Sequence, residues 1–425
     1  MGSADDSLAV ADAQPRGSLI PGYGASLGPI GERFSAQGAM GLLLLDAASF
    51  AEIERLYGLK AHRQALGQLT DLIRETVGRR LAPQDLILQG GIGRNEILVI
   101  LFRPCDQVDF HVEEIPALRE ALLIGLKRQG SRVAYPYVKE APPIYLGTAV
   151  ALRHPTFGIE TQLRRALEHA RADARLSLEI AKRERRHRFI KFILQGEISS
   201  VYEPIVEVSR KTVHGYEALA RGPAGSEFHS PLAMFRTAEE EGLVFQLDCL
   251  CRQKALEGSL GRSRGTKLFV NIRPTTVQDP AFHPDVLSRT LDRYDLRPSD
   301  LVFEISEQES IDNFTIFREV RDDYGKLGFQ FALDDTGAGY ASLQSVIELS
   351  PEYIKVDRSL ITGIDEDLSR QELLRALHAV AGQIRARIIA EGLNTLEELS
   401  TLAKLGIPFG QGWLFGKPTP LRAGS

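Results

Sequence analysis

The sequence predicts a two-part α/β protein, with a larger C-terminal unit of repeated strand–helix pairs preceded by a smaller mixed unit. Three observations predict it. From Val201 onward, apolar β-branched strand candidates alternate with amphipathic helix candidates. Seven consecutive strand candidates end on polar residues: Glu217, Asn271, Glu304, the pair Asp334–Asp335, Lys355, Glu391 and Gln411. The chain has 425 residues, enough for two or three domains with full cores. Seven strand ends carrying acids, amides and a lysine are too many to be helix caps alone, whereas the strand ends of a βα barrel converge on one mouth. The C-terminal half is therefore expected to be a TIM-like (β/α)8 barrel with a single site at that mouth.

Taken in order, residues 1–35 are rich in Gly, Ala, Ser and Asp and read as a flexible leader without the basic start and apolar block of a signal peptide. Residues 36–160 read as the smaller α/β unit. Leu42–Asp46, Glu96–Phe102 and Ile144–Leu152 have strand patterns; Phe50–Tyr57, Ala61–Arg79 and Ala117–Lys127 have helical ones. Residues 161–190 form a linking helix, and 191–425 the barrel. Within the barrel, Ser230-Pro231 signals a helix start and Thr395-Leu396-Glu397-Glu398 a capping box.

The stretch that carries most chemistry is Phe329 to Tyr340, where an apolar run ends in Asp334-Asp335 and a Gly-x-Gly loop follows. Adjacent carboxylates repel unless a cation sits between them, which asks for a metal or a basic partner; the alternative is that one of them only caps the next helix. Net charge is −5, so nothing attracts nucleic acid or an anionic membrane globally, and the basic run Lys182–Arg188, interrupted by Glu184, reads as a solvated helix face. No nucleic-acid partner is expected. Three cysteines lack metal or disulfide spacing, and no apolar run approaches the ~20 residues of a membrane helix. These features fit a cytoplasmic protein.

Glu217-Ala218-Leu219-Ala220-Arg221, Phe269-Val270-Asn271, Phe303-Glu304-Ile305-Ser306-Glu307, Asp334-Asp335-x-Gly-x-Gly-Tyr, Ile354-Lys355-Val356-Asp357, Ala390-Glu391-Gly392 and Gly410-Gln411-Gly412 occur in that order over residues 190–420. Together they resemble the EAL-type cyclic-di-GMP phosphodiesterases, and the segment before them resembles a GGDEF-type, nucleotidyl-cyclase-like domain. The resemblance implies hydrolysis of cyclic di-GMP to linear pGpG with two Mg²⁺ or Mn²⁺ ions. It implies that Glu217, Asn271, Glu304 and Asp334 hold the first ion, that Asp334 and Asp335 share the second, and that Glu391 and Gln411 assist through water. It further implies that Lys355 orients or deprotonates the attacking water, that Leu219 and Arg221 seat the ligand, and that Glu307 pins the Asp334–Asp335 loop. Five carboxylates against one lysine would leave a surplus of about four negative charges facing a dianionic substrate, which divalent cations reconcile; an all-oxygen ligand set favours Mg²⁺ or Mn²⁺ over zinc.

Two departures fall in this half. Thr336 stands where the family has an aromatic residue, and Asn394 where it has a carboxylate near the second ion, so loop support and metal requirement are expected to suffer. The first segment departs further. Its signature hairpin reads Gly93-Arg94-Asn95-Glu96-Ile97, so Arg94 fills nucleotide space and Asn95 removes a charge, although Asp46 keeps the place of the first metal-binding acid. An upstream Arg-x-x-Asp inhibitory motif is also missing, since Ala82 lies three residues before Asp85. Cyclase activity is not expected; a regulatory module, with residual GTP binding as one option, is. Two function classes stay open for the barrel: an active phosphodiesterase, and a cyclic-di-GMP receptor that signals to a protein effector. The resemblance also implies a homodimer paired through the barrels.

Overall fold

The computed structural model describes residues 20–91, 93–138, 142–273, 276, 279–306, 314–337 and 342–421. The chain divides into two compact units, residues 1–185 and 186–425. The division falls inside one long helix, Ile159–Gln195, which spans residues 161–190.

The first unit is built on strands β1 (Gly38–Asp46), β2 (Leu86–Gln89), β3 (Glu96–Pro104) and β4 (Tyr145–Leu152), ordered β2-β3-β1-β4 and antiparallel throughout. With helices Phe50–Val77 and Ile115–Val133 between strands, the chain runs β-α-β-β-α-β, the split βαβ arrangement. β1 is buried on both faces: Leu43 and Leu45 join one apolar cluster, and Leu42 and Leu44 the opposite one, as the two-residue repeat of a strand requires. The helix Phe50–Val77 is interrupted at Gly58, whose φ of 82° and ψ of 173° separate the two segments the pattern suggested. Two elements escaped the sequence reading. Residues 27–35, assigned to the leader, lie within helix Leu27–Gln37, which buries Ile30 and Phe34 against the sheet cluster. β2, four residues long, was too short to show an alternation.

The second unit is a closed eight-stranded barrel of β5 (Ser199–Glu207), β6 (Thr212–Arg221), β7 (Lys267–Asn271), β8 (Leu301–Ser306), β9 (Gln330–Thr336), β10 (Tyr353–Val356), β11 (Arg387–Ala390) and β12 (Phe409–Gln411). Ile205, Phe269, Val302, Ala332, Tyr353, Ile389 and Phe409, one from each of seven strands, fill an interior layer. From β6, His214 stacks on Phe409 at 4.1 Å and lies 2.9 Å from the Tyr353 hydroxyl.

One expectation is corrected. The barrel is not uniformly parallel, because β5 runs antiparallel to both β6 and β12. Only four residues join β5 to β6, a hairpin connection, whereas a parallel pair needs a crossover of a dozen or more. Lys211, with φ of 55°, turns that connection. The helix starts read from the sequence are present: the Ser230 side chain accepts from Ala233 N–H, and Thr395 and Glu398 form a capping box.

Candidate active site

The strand ends converge on Lys355, on β10. Its Nζ lies 2.8 Å from Glu304 Oε1, 2.8 Å from Glu391 Oε1, 3.0 Å from Asp334 Oδ1 and 3.1 Å from Glu217 Oε2. The lysine is buried, as are Glu304 and Glu217. Gln411 Nε2 donates to Glu217 Oε2 at 2.6 Å, and Asn271 Nδ2 donates to Glu304 Oε2 at 3.2 Å and reaches Glu217 Oε1 at 3.5 Å. Asn271 and Glu304 are register partners on β7 and β8, so the pairing of two short strands places amide beside acid.

Asp334 and Asp335 pose a geometric problem, since successive side chains of a regular strand point to opposite faces. A β-bulge solves it. Leu333 pairs with Ile354 and Thr336 with Val356, so two aspartates stand opposite the single residue Lys355. Asp335 takes the left-handed conformation, φ 58°, which Asp tolerates better than most residues. Two overlapping acid groups result: Glu217, Glu304 and Asp334 in one, and Asp334, Asp335 and Glu391 in the other, with one ligand oxygen from each residue within 4.8 Å of the rest.

Burial and charge set the protonation of the cluster. Burial pushes Glu391 up to about 8 against the pull of Lys355, and pushes Glu304 well above its ordinary range with help from the Glu217 charge. Burial also raises Asp334 and Asp335. Glu217 is the exception, because Lys355, Gln411 and Asn271 outweigh its burial and hold it below the usual range. Burial works against the Lys355 ammonium too, yet Asp334, Glu217, Glu304 and Glu391 hold its pKa well above normal.

The residues present suit divalent cations. Glu304 Oε1 and Asp334 Oδ1 are buried and accept no hydrogen bond of good geometry, although both lie close to Nζ, so each keeps lone pairs for an ion. All donors are oxygens, the set preferred by Mg²⁺ and Mn²⁺.

The remaining predicted residues fall at different depths. Leu219 and Arg221 are half-buried further along β6, with Arg221 Nη1 donating to Ala220 O at 2.8 Å. Asn394 is exposed and donates from Nδ2 to Gly392 O at 2.9 Å, while its own N–H is taken by Glu398. Glu307 lies outside the described residues. One acid at the site was missed. Glu203 on β5 is the register partner of Glu217, is hydrogen-bonded to Gln411, and has a pKa raised by burial despite that bond. Strand C-terminal ends mark the mouth of a parallel barrel, but β5 runs the other way and brings its first half there. The signal available in the sequence was the short β5–β6 connection.

Among the described residues no helix is long and apolar enough to cross a membrane. Over 363 residues, the chain is 28% identical to an uncharacterized protein of Azorhizobium caulinodans, covering 80% of this chain and 47% of that one. It is 32% identical over 232 residues to the Escherichia coli protein named probable cyclic di-GMP phosphodiesterase PdeG, covering 53% and 45% respectively. The chain thus spans about half the length of these curated relatives. The FimX EAL domain of Xanthomonas citri, solved with c-diGMP, shares the fold, with a TM-score of 0.51, 22% identity, and coverage of 57% of this chain and 97% of that one. Residues 186–418 match the model of the EAL domain, the whole of the barrel just described, and the chain belongs to that family.

Proposed function

We propose that the barrel hydrolyses cyclic di-GMP to linear pGpG, using two Mg²⁺ or Mn²⁺ ions, and that the first unit is a degenerate GGDEF-like regulatory module without cyclase activity. The observation that carries the first reading is the pair of acid groups sharing Asp334 at the mouth of an EAL-family barrel. Glu217, Asn271, Glu304 and Asp334 would hold one ion, and Asp334 and Asp335 the other, with Glu391 and Gln411 beside them. When bound, such a pair acidifies a water and steadies both oxygens of an in-line displacement.

The chain's own groups do the positioning. Arg221 supplies a guanidinium suited to a phosphate, and half-buried Leu219 an apolar seat for the ligand. Lys355 is held firmly as an ammonium, which supports its role as a donor that fixes the attacking water rather than as the base that deprotonates it. Water oxygen bonds to phosphorus, the ester bond to the leaving sugar oxygen breaks, and that oxygen takes up a proton, opening the ring.

For the first unit, β1 and β3 pair Asp46 with Glu96, and Glu96 is engaged by Arg171, whose Nε and Nη2 donate at 2.9 and 2.8 Å. Asn95 Oδ1 accepts from His62 Nε2 at 2.8 Å. An acid already paired with arginine supports a site that no longer assembles a metal pair.

Chromatography of cyclic di-GMP incubated with the full chain and Mg²⁺ or Mn²⁺ tests the assignment. Formation of pGpG that stops with chelator is expected. Tight binding without cleavage at high Mn²⁺ would replace the enzyme with a receptor.

A further inference from the structure

Glu398 looks at first like a helix cap and nothing more, since it pairs with Thr395 at the start of helix Leu396–Lys404. Its carboxylate does something beyond capping. Oε2 accepts from the N–H groups of Asn394 and Thr395 at 2.9 and 3.1 Å, and Oε1 accepts from Gly363 N–H at 3.0 Å. The side chain is 3% exposed, and the three amides outweigh burial in keeping it ionised. One buried carboxylate therefore ties together two segments distant in sequence.

Both segments reach the acid cluster. Gly363 follows the short helix Arg358–Ile361, which is wedged between two loops. On one side, a Cβ at Gly337 would come within 2.4 Å of Leu360 Cδ1, and Asp357 N–H donates to Thr336 O at 3.1 Å, so the helix abuts the backbone just after Asp335. On the other, a Cβ at Gly392 would lie 2.4 Å from Arg358 Cβ, so the helix abuts the residue just after Glu391. Gly337 and Gly392 both have positive φ, 103° and 74°, and a side chain at either position would clash and be strained. The Glu391 loop is held in addition by Glu391 N–H to Val356 O and Leu393 N–H to Gln411 O, each at 3.0 Å.

We propose that Glu398 is a positioning residue: by locking the turn at Gly363 to the loop at Asn394–Thr395, it clamps the helix Arg358–Ile361 between the loops of Asp335 and Glu391 and keeps these acids within reach of one cation. The proposal rests on the two-ion reading of the site and assigns the support of the second ion to a residue that touches neither ion nor substrate. It also accounts for Asn394, since a buried carboxylate four residues on holds that loop.

The test is Mn²⁺ binding to the full chain without nucleotide, followed by the electron paramagnetic resonance of free Mn²⁺. The unaltered chain should bind two ions. Glu398→Gln, which removes acceptor capacity, should leave the tighter ion within about twofold and weaken the other roughly 10–100-fold, the usual cost of losing an outer-shell partner. Thr395→Ala is the control: it removes the cap from the same helix and should lower the melting temperature while leaving both ions within about twofold. The proposal is overturned if Glu398→Gln binds both ions normally, or if Thr395→Ala weakens the second ion as much. Amide hydrogen exchange gives a readout independent of metal. Glu398→Gln should speed exchange at Asp357 and Glu391 as well as at Gly363 and Asn394. A chain that binds fewer than two ions would defeat the two-ion reading, and unchanged exchange at Asp357 and Glu391 would defeat the clamp itself.

Discussion

Lys355 Nζ lies 2.8 Å from Glu304 Oε1, an ion pair between β10 and β8 in which the two residues are 1% and 0% exposed. The same ammonium touches Glu217, Asp334 and Glu391, so one lysine is the counter-charge for four acids, two of them buried and two partly buried. Removing one partner of a buried ionic group leaves uncompensated charge and costs about 3–5 kcal/mol. Lys355→Gln should therefore lower the melting temperature strongly in chelator, and Mn²⁺ should restore far more stability to the variant than it adds to the unaltered chain. Equal Mn²⁺ stabilisation of both proteins would show that the lysine does not compensate these acids.

Catalysis gives the second prediction. Glu217→Ala removes an acid assigned above to the first ion, one that Lys355, Gln411 and Asn271 keep ionised, and hydrolysis should fall at least ~100-fold, as it should in excess chelator. Lys355→Ala should depress kcat much more than cyclic-di-GMP affinity, because the lysine is assigned to the water rather than the ligand. Equal losses in both parameters would make it a ligand-binding residue.

His214 gives a pH dependence separate from the site. Burial, then the charges of Arg387 and Lys267, lower its pKa from 6.5 to about 4. In the unfolded chain the imidazole binds a proton near 6.5, so between pH 6.5 and about 4 the unfolded state holds more protons and stability falls as the pH falls. His214→Gln keeps a hydrogen-bonding partner for Tyr353 and should flatten this part of the profile, measured by urea unfolding at pH 7 and 4.5. A variant as acid-sensitive as the unaltered chain would remove His214 from the account.

The pairing of Glu96 with Arg171 predicts that the full chain, with Glu217→Ala to prevent degradation, makes no cyclic di-GMP from GTP with Mg²⁺ or Mn²⁺. Arg171→Ala should not restore synthesis, because Arg94 and Asn95 remain in the hairpin. Product from either protein would refute the reading.

Asn394 invites a restorative substitution, since the family carries an acid there, and the sequence alone suggested that Asn394→Glu would lower the metal requirement. Among the described residues the exposed side chain hydrogen-bonds locally, to Gly392 O, and Glu398 already takes the Asn394 amide. Asn394→Glu is therefore expected to change the Mn²⁺ needed for half-maximal hydrolysis by less than about twofold. A tenfold fall would return the supporting role to this position.

Much of the site was legible in the sequence because a barrel converts linear order into convergence: strands of apolar, β-branched residues ending in Glu217, Asn271, Glu304, Asp334, Lys355, Glu391 and Gln411 suffice to name its members. Periodicity likewise gave β1, β3 and β4 and the break between the two helical segments at Gly58. The helix Leu27–Gln37 was hidden because only Ile30 and Phe34 commit it to the core, and β2 because four residues carry too little pattern.

Strand ends and the functional groups they carry were thus determined by the sequence itself, since they depend on local periodicity and on which residues are present. Tertiary structure decided how those groups meet. The hairpin that reverses β5 brings Glu203 beside Glu217, a bulge and a left-handed Asp335 turn two adjacent aspartates toward one site, and closure of the barrel buries Lys355 among four acids. Glu398 shows the same limit most clearly. Its bond to Thr395 is local and readable, but its bond to Gly363 spans 35 residues and exists only because folding brings two loops together around one carboxylate.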